Sequence, residues 1–323
     1  MTTAQGPEIV RPPAHARFSR FAWGVLAYNV LVVLWGALVR ATGSGAGCGG
    51  HWPLCNGDVV PHAPTLATVI EYTHRLMSGG AIVSVAALWI WSRKEFPGGR
   101  TRRWAGRALV FLIIEALLGA GLVLFNYVAL NASVGRAFYL AIHLANTQVL
   151  LAALTLTAFT ATREEAQPQL RKAPGLVLAA LPTTIALSMT GAIAALGDTL
   201  FPALSFAAGF GQDFAGAAHI LLRLRLFHPP LAVVAGLYVL YTASSAVRLR
   251  PSRPVKRYAA ALAGLVLLQL CAGAVNIALL APVWLQIIHL LLADLLWIAL
   301  VILTAHAALT AAGAPVPVEA VRR

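Results

Sequence analysis

Eight apolar runs dominate the chain, at about 21–40, 67–92, 107–127, 137–161, 174–195, 217–246, 257–281 and 284–309. Each is near the roughly 20 residues an α-helix needs to cross the hydrocarbon core of a bilayer. Short polar segments separate them. The pattern predicts an all-α integral membrane protein with eight transmembrane helices. An even number of crossings places both termini on one side. Of the 24 Lys and Arg, five stand apart: Arg40, Arg75, Arg136, Arg223 and Arg225. The other 19 (24 − 5) lie before the first run, between runs two and three, four and five, six and seven, and after the eighth. By the positive-inside rule both termini are cytoplasmic. Segments 41–66, 128–136, 196–216 and 282–284 then face outward. The polar, Pro-containing N-terminus and the length of the first run predict no cleavable signal peptide.

Composition narrows the class further. The chain is 59% hydrophobic and 11% charged, against roughly 25% charged in soluble domains. A net charge of +13 would suggest nucleic acid, but the basic residues sit in the short clusters that set topology. The expected partner is the lipid bilayer, with no nucleic acid.

The runs repeat. "RLMSGGAIVSVAALWIW" follows His74 as "PPLAVVAGLYVLY" follows His228, at an offset of 154 residues. "EALLGAG" at 115–121 lines up with "QLCAGAV" at 269–275, again at 154. The stretches around His143 and His289 match at 146, as a shorter loop before the last helix requires. The repeat predicts two pseudo-symmetric four-helix bundles of the same orientation. The expected organisation is a cytoplasmic tail at 1–20, a first bundle at 21–161 with an outer loop at 41–66, a linker at 162–173, a second bundle at 174–309 and a tail at 310–323.

Four histidines fall on the even-numbered helices: His74, His143, His228 and His289. Each lies roughly six to eleven residues from the outer end, or about 9–17 Å of rise. Each bundle therefore offers two imidazoles at one depth, an arrangement suited to haem iron. The plain alternative for any one of them is a hydrogen-bonded core histidine. Zinc calls for closer clustering with Cys or carboxylate, and copper for nearby Met or Cys.

The halves differ in chemistry. Glu71 precedes His74 by three residues, a spacing that shares a helix face. Arg225 holds that place before His228. A carboxylate beside a porphyrin can accept a proton or orient water; the alternative is an ion pair with a nearby Arg. Arg75, Arg223 and Arg225 are candidate contacts for haem propionates, with interfacial snorkelling as the alternative. Glu115, aligned with Gln269, reads as a polar partner within the bundle. Cys48 and Cys55 lie in a Gly-rich outer loop and can form a disulfide on an oxidising side; a metal site with His51 and His62 is the alternative. Cys271 reads as a core thiol, and His219 as a side chain able to touch a haem edge.

"LVRATGSGAGCGGHWPLCNG" together with "IEYTHRLMSG" resembles haem A synthase, the membrane enzyme that makes haem A from haem O. The resemblance covers essentially the whole chain. It implies oxidation of the C8 methyl of haem O to a formyl group by two successive hydroxylations, the gem-diol losing water. It implies substrate haem at His74 and His143, and a haem B cofactor relaying electrons at His228 and His289. It makes Glu71 the catalytic glutamate, and Cys48 and Cys55 the outer-loop pair. It implies the cell membrane of a bacterium, haem sites toward the outer side, and as partners the haem O synthase, terminal oxidase assembly and a further copy in a homo-oligomer. Two features depart from the family pattern. The loop "ALGDTLFPALSFAAGFGQDFAG" lacks the second Cys pair that some members carry. Pro229 and Pro230 follow His228 where Arg75 follows His74; inside a helix they are expected to bend it. Two other readings fit the histidines or the repeat: a dihaem b-type cytochrome that moves electrons without modifying haem, and a duplicated transporter.

Overall fold

A computed structural model describes residues 13–163, 168–216 and 218–309. The tails expected at 1–20 and 310–323 and the linker at 162–173 fall wholly or partly outside the described residues. Ten α-helices are present among those described: α1 Pro13–Ala41, α2 Leu66–Glu95, α3 Arg100–Leu124, α4 Val134–Ala161, α5 Gly175–Leu200, α6 Phe206–Phe214, α7 Ile220–Arg225, α8 His228–Leu249, α9 Arg253–Ala278 and α10 Val283–Ala307. Eight spans are long and apolar enough to cross a membrane, α7 and α8 together making one of them, Ile220–Leu249. The chain is an all-α, multi-pass membrane protein.

The first five helices are longer than the apolar runs because hydropathy marks the lipid-facing stretch and not the capped ends. Thr65 starts α2, its hydroxyl accepting from Thr68 N at 3.2 Å. Ser133 starts α4 in the same way through Arg136 N at 3.2 Å. Such caps satisfy backbone donors that the helix leaves open. In the sixth span the helical hydrogen-bond ladder is interrupted between α7, ending at Arg225, and α8, starting at His228, while Leu226 and Phe227 keep helical backbone angles. Pro229 and Pro230 fall in the first turn of α8, where a missing N–H costs nothing. The nine-residue α6 lies in a segment read as loop; it is too short for a membrane-length hydropathy window to register.

α1 packs against α2 and α4, and α3 lies between α2 and α4. α5 packs against α8, α8 against α9, α9 against α10 and α10 against α5. This pattern is compatible with two four-helix bundles. They meet along a seam in which α4 touches α5 and α10, and α1 touches α10.

Packing is uneven along the helix axes. In α10 the segment from Leu296 to Ala307 is almost wholly buried, whereas in the first eleven residues, 283–293, only Leu285 is. In α4 the buried run is Thr147 to Ala161 apart from Val149 and Ala152, and before it only Arg136, Ala137 and Ala141 are buried. The end of the molecule that carries loop 42–65 is thus the loosely packed one. All four histidines lie there.

Candidate haem sites and the disulfide loop

Each histidine faces a glycine on the neighbouring helix. A methyl group added at Gly36 of α1 would lie 3.0 Å from His74 Cε1, and one at Gly191 of α5 would lie 3.0 Å from His228 Cε1. At Gly273 of α9 the approach to His289 Cε1 is 3.2 Å, and at Gly119 of α3 the approach to His143 Nε2 is 3.9 Å. The four imidazoles are therefore seated on backbone. His143 is within electrostatic range of His74, and His289 of His228. The structure brings the histidines together in the pairs that the repeat predicts. His74 Nδ1 and His289 Nδ1 are buried without a hydrogen-bond partner. His228 Nδ1 lies 2.9 Å from Thr190 Oγ1. Among the described residues no group of three or more His, Cys, Asp or Glu is placed to hold a metal ion. A two-imidazole pair suits a metal that brings its own equatorial ligands, and the loosely packed end around the pairs suits a flat ring. The residues fit haem.

Glu71 is buried, and both its oxygens are engaged. Arg75 Nη2 donates to Oε1 at 2.5 Å and the Cys48 backbone N–H donates to Oε2 at 2.8 Å. The ion pair weighed against a site role for Glu71 is thus formed. Cys48 and Cys55 are joined as a disulfide, with their Cα atoms 4.4 Å apart. α2 holds the loop at several further points. Arg75 Nη1 donates to the carbonyls of His51 at 2.7 Å and Leu54 at 2.6 Å. Thr68 donates to Gly47 O at 2.8 Å, and Tyr72 to Val59 O at 2.9 Å. Gly47 has to be glycine here, since a Cβ would stand 2.5 Å from the α2 backbone at Ala67. His51 and His62 are not drawn into a cluster with the cysteines.

The arginines are committed to protein partners. Arg225 meets Asp213 at 2.6 Å and Asp198 at 3.2 Å. Arg223 donates to Gly216 O at 2.8 Å. His219 caps α7 by accepting from Leu221 N at 3.2 Å. Cys271, expected in the core, stands on the exposed side of α9; an all-apolar run does not reveal which face packs inward.

Three groups had not been singled out. Arg40 at the end of α1 reaches the other half, donating to Ala195 O at 2.7 Å, Thr199 Oγ1 at 2.6 Å and Gln286 Oε1 at 2.8 Å. Asn146 and Thr147 of α4 donate to Glu115. On the seam, Trp297 Nε1 donates to Gln148 O at 2.7 Å. Asp294, on the same face of α10 one turn earlier, is fully buried with neither oxygen hydrogen-bonded.

Fold and site define a multi-pass membrane protein with paired intramembrane histidines beneath a disulfide-closed loop. The chain belongs to the Cytochrome oxidase assembly protein family (COX15-CtaA), which it matches over residues 19–301. It is similar to a Protoheme IX farnesyltransferase of Thermus thermophilus, 49% identical over 304 residues, covering 92% of this chain and 50% of that one. The chain thus spans about half the length of such relatives. It is also similar to a Heme A synthase of Shouchella clausii, 32% identical over 280 residues and covering 83% of this chain and 89% of that one. A Heme A synthase of Alkalihalophilus pseudofirmus is 41% identical over 141 residues, 42% of this chain and 44% of that one.

Proposed function

We propose that the chain oxidises the C8 methyl of haem O to a formyl group, giving haem A. The observation that carries this reading is the pair of imidazoles in each half, each seated on a glycine. Membership of the family and the relatives named Heme A synthase support it. The relative named for farnesyl transfer to protohaem fits as well, since that transfer makes haem O. It does not favour a transferase reading for this chain. Release of diphosphate calls for carboxylates that hold Mg²⁺, and the two glutamates near the first histidine-bearing helices are turned to other partners: Glu71 to Arg75, Glu115 to His143.

In this mechanism the first half is the substrate bundle and the second the cofactor bundle. His74 and His143 hold and orient the substrate ring, with its methyl edge toward Glu71. Conversion of methyl to aldehyde takes in one oxygen from water and gives up four electrons and four protons, through a hydroxymethyl group and a gem-diol that loses water. Glu71 accepts a proton or aligns the water. Its two existing contacts leave part of a carboxylate's about four acceptor positions free. The loop, closed by its disulfide and held by Arg75, covers this end and keeps bulk water out. His228 and His289 hold haem B, which supplies a one-electron acceptor. Both termini lie on the cytoplasmic side of a bacterial cell membrane, with the haem sites toward the outside.

The test is pigment analysis of protein purified from a host that makes haem O. Haem B together with haem O, its hydroxylated form or haem A is expected. Haem B alone would favour the electron-carrying cytochrome, and no pigment would favour the transporter.

A further inference from the structure

Glu115 and Gln269 hold equivalent places in the repeat, 154 residues apart (269 − 115), and each reaches the histidine of the next helix. Glu115 Oε1 lies 2.9 Å from His143 Nδ1. Its other oxygen accepts from Asn146 Nδ2 at 2.6 Å, and Thr147 also donates to it. Glu115 is thus fixed against the ring by two donors of the same helix that carries His143. Gln269 brings a neutral amide instead, its Nε2 standing 3.2 Å from His289 Nε2. Some of the other charges in the two halves are paired, whereas Arg136 and Arg223 have carbonyl partners only and Asp294 has no hydrogen-bond partner. In the first half Arg75 is matched by Glu71. In the second, Arg225 and Arg40 are matched by Asp198 and Asp213. One histidine pair thus has a carboxyl against one of its rings, and the other has a neutral amide there.

A carboxylate behind a metal-bound imidazole strengthens the imidazole as a donor and favours the more oxidised metal. We propose that Glu115 is a positioning residue that sets the reduction potential of the haem at His74 and His143 below that of the haem at His228 and His289. This rests on the haem reading above and adds a direction to it. An electron leaving the first iron, which passes from ferrous to ferric, runs to the second, which passes from ferric to ferrous. No bond forms or breaks, and no proton moves in that step. The substrate bundle is the donor and the cofactor bundle the acceptor because one has Glu where the other has Gln.

The experiment is a spectroelectrochemical titration of the full-length, haem-loaded protein, in which the two pigments are followed at their separate absorption bands. Wild type is expected to show the first-pair pigment titrating at the lower potential. Glu115→Gln raises that step toward the other, Glu115→Asp restores it, and the reciprocal Gln269→Glu lowers the second-pair step. A Glu115→Gln protein with full pigment and unmoved potentials overturns the inference. If that variant loses pigment, an unmoved second-pair step in Gln269→Glu overturns it equally. Equal potentials in wild type overturn this inference alone, whereas absence of haem from wild type overturns the reading beneath it.

Discussion

Glu71 shows how much one side chain can be asked to do: it anchors the loop through Cys48 and holds Arg75, and it is also the proposed proton acceptor. Glu71→Ala is expected to leave haem bound and to cut conversion by about 100-fold or more, the scale of a lost general base. Pigment analysis of the variant checks this, and an undiminished haem A yield would remove Glu71 from the chemistry. A second prediction concerns the glycine seats. A Cβ at Gly191 already crowds His228 at 3.0 Å, so the larger Gly191→Val should displace the ring. Haem B content should collapse while the first-pair pigment stays; equal retention of both would show that the seat is not needed. The histidines were legible because imidazoles are rare in apolar runs and these recur at a fixed offset. The ion pair of Glu71 with Arg75 was legible as an alternative. Its partner on the other oxygen was not, since a backbone N–H at position 48 carries no side-chain signature. Nor was the capture of Arg225 by Asp213 and Asp198, at sequence separations of 12 and 27.

At the scale of elements, the loop and the break before α8 carry the interest. Four side chains of α2, Thr68, Glu71, Tyr72 and Arg75, tie the loop independently of its disulfide. Replacing Cys48 and Cys55 together by Ser should therefore leave turnover within about tenfold, or about 1.4 kcal/mol of barrier. Turnover of the double variant decides it: a loss beyond about 100-fold with haem still bound would mean that the sulfurs take part in the chemistry. The spans themselves were legible from apolar length alone. The split into α7 and α8 was not, because a run that stays apolar gives no sign of where one helix stops. The two prolines marked the place. They interrupt the hydrogen-bond ladder of the span while the backbone at Leu226 and Phe227 stays helical, which puts His228 at the first position of α8.

For the whole molecule the seam is decisive. Arg40 links α1 to α5 and α10 through three short hydrogen bonds. Arg40→Met should lower stability by on the order of 3 kcal/mol, since charged hydrogen bonds are worth about 1.5–3 kcal/mol each and are not additive. Thermal unfolding in detergent would show it, and an unchanged transition would deny Arg40 its bridging role. The repeat made the two halves legible, but nothing in it said which faces meet. Gln148, which meets Trp297 on the seam, and Asp294 hold equivalent positions: 294 − 148 and 289 − 143 are both 146. Two separate single-bundle chains meeting through this face about a twofold axis would make every contact twice, residue i on j and j on i, with only side chains on the axis meeting their own copy. A fused chain is free of that rule. It can carry Gln148 in one half with Asp294 at the matching place in the other, and Glu115 in one half with Gln269 in the other. A duplicated ancestor that stayed a symmetric dimer would have two identical sites and no preferred direction between them. Joining the copies in one polypeptide is what allows the sites to become unequal.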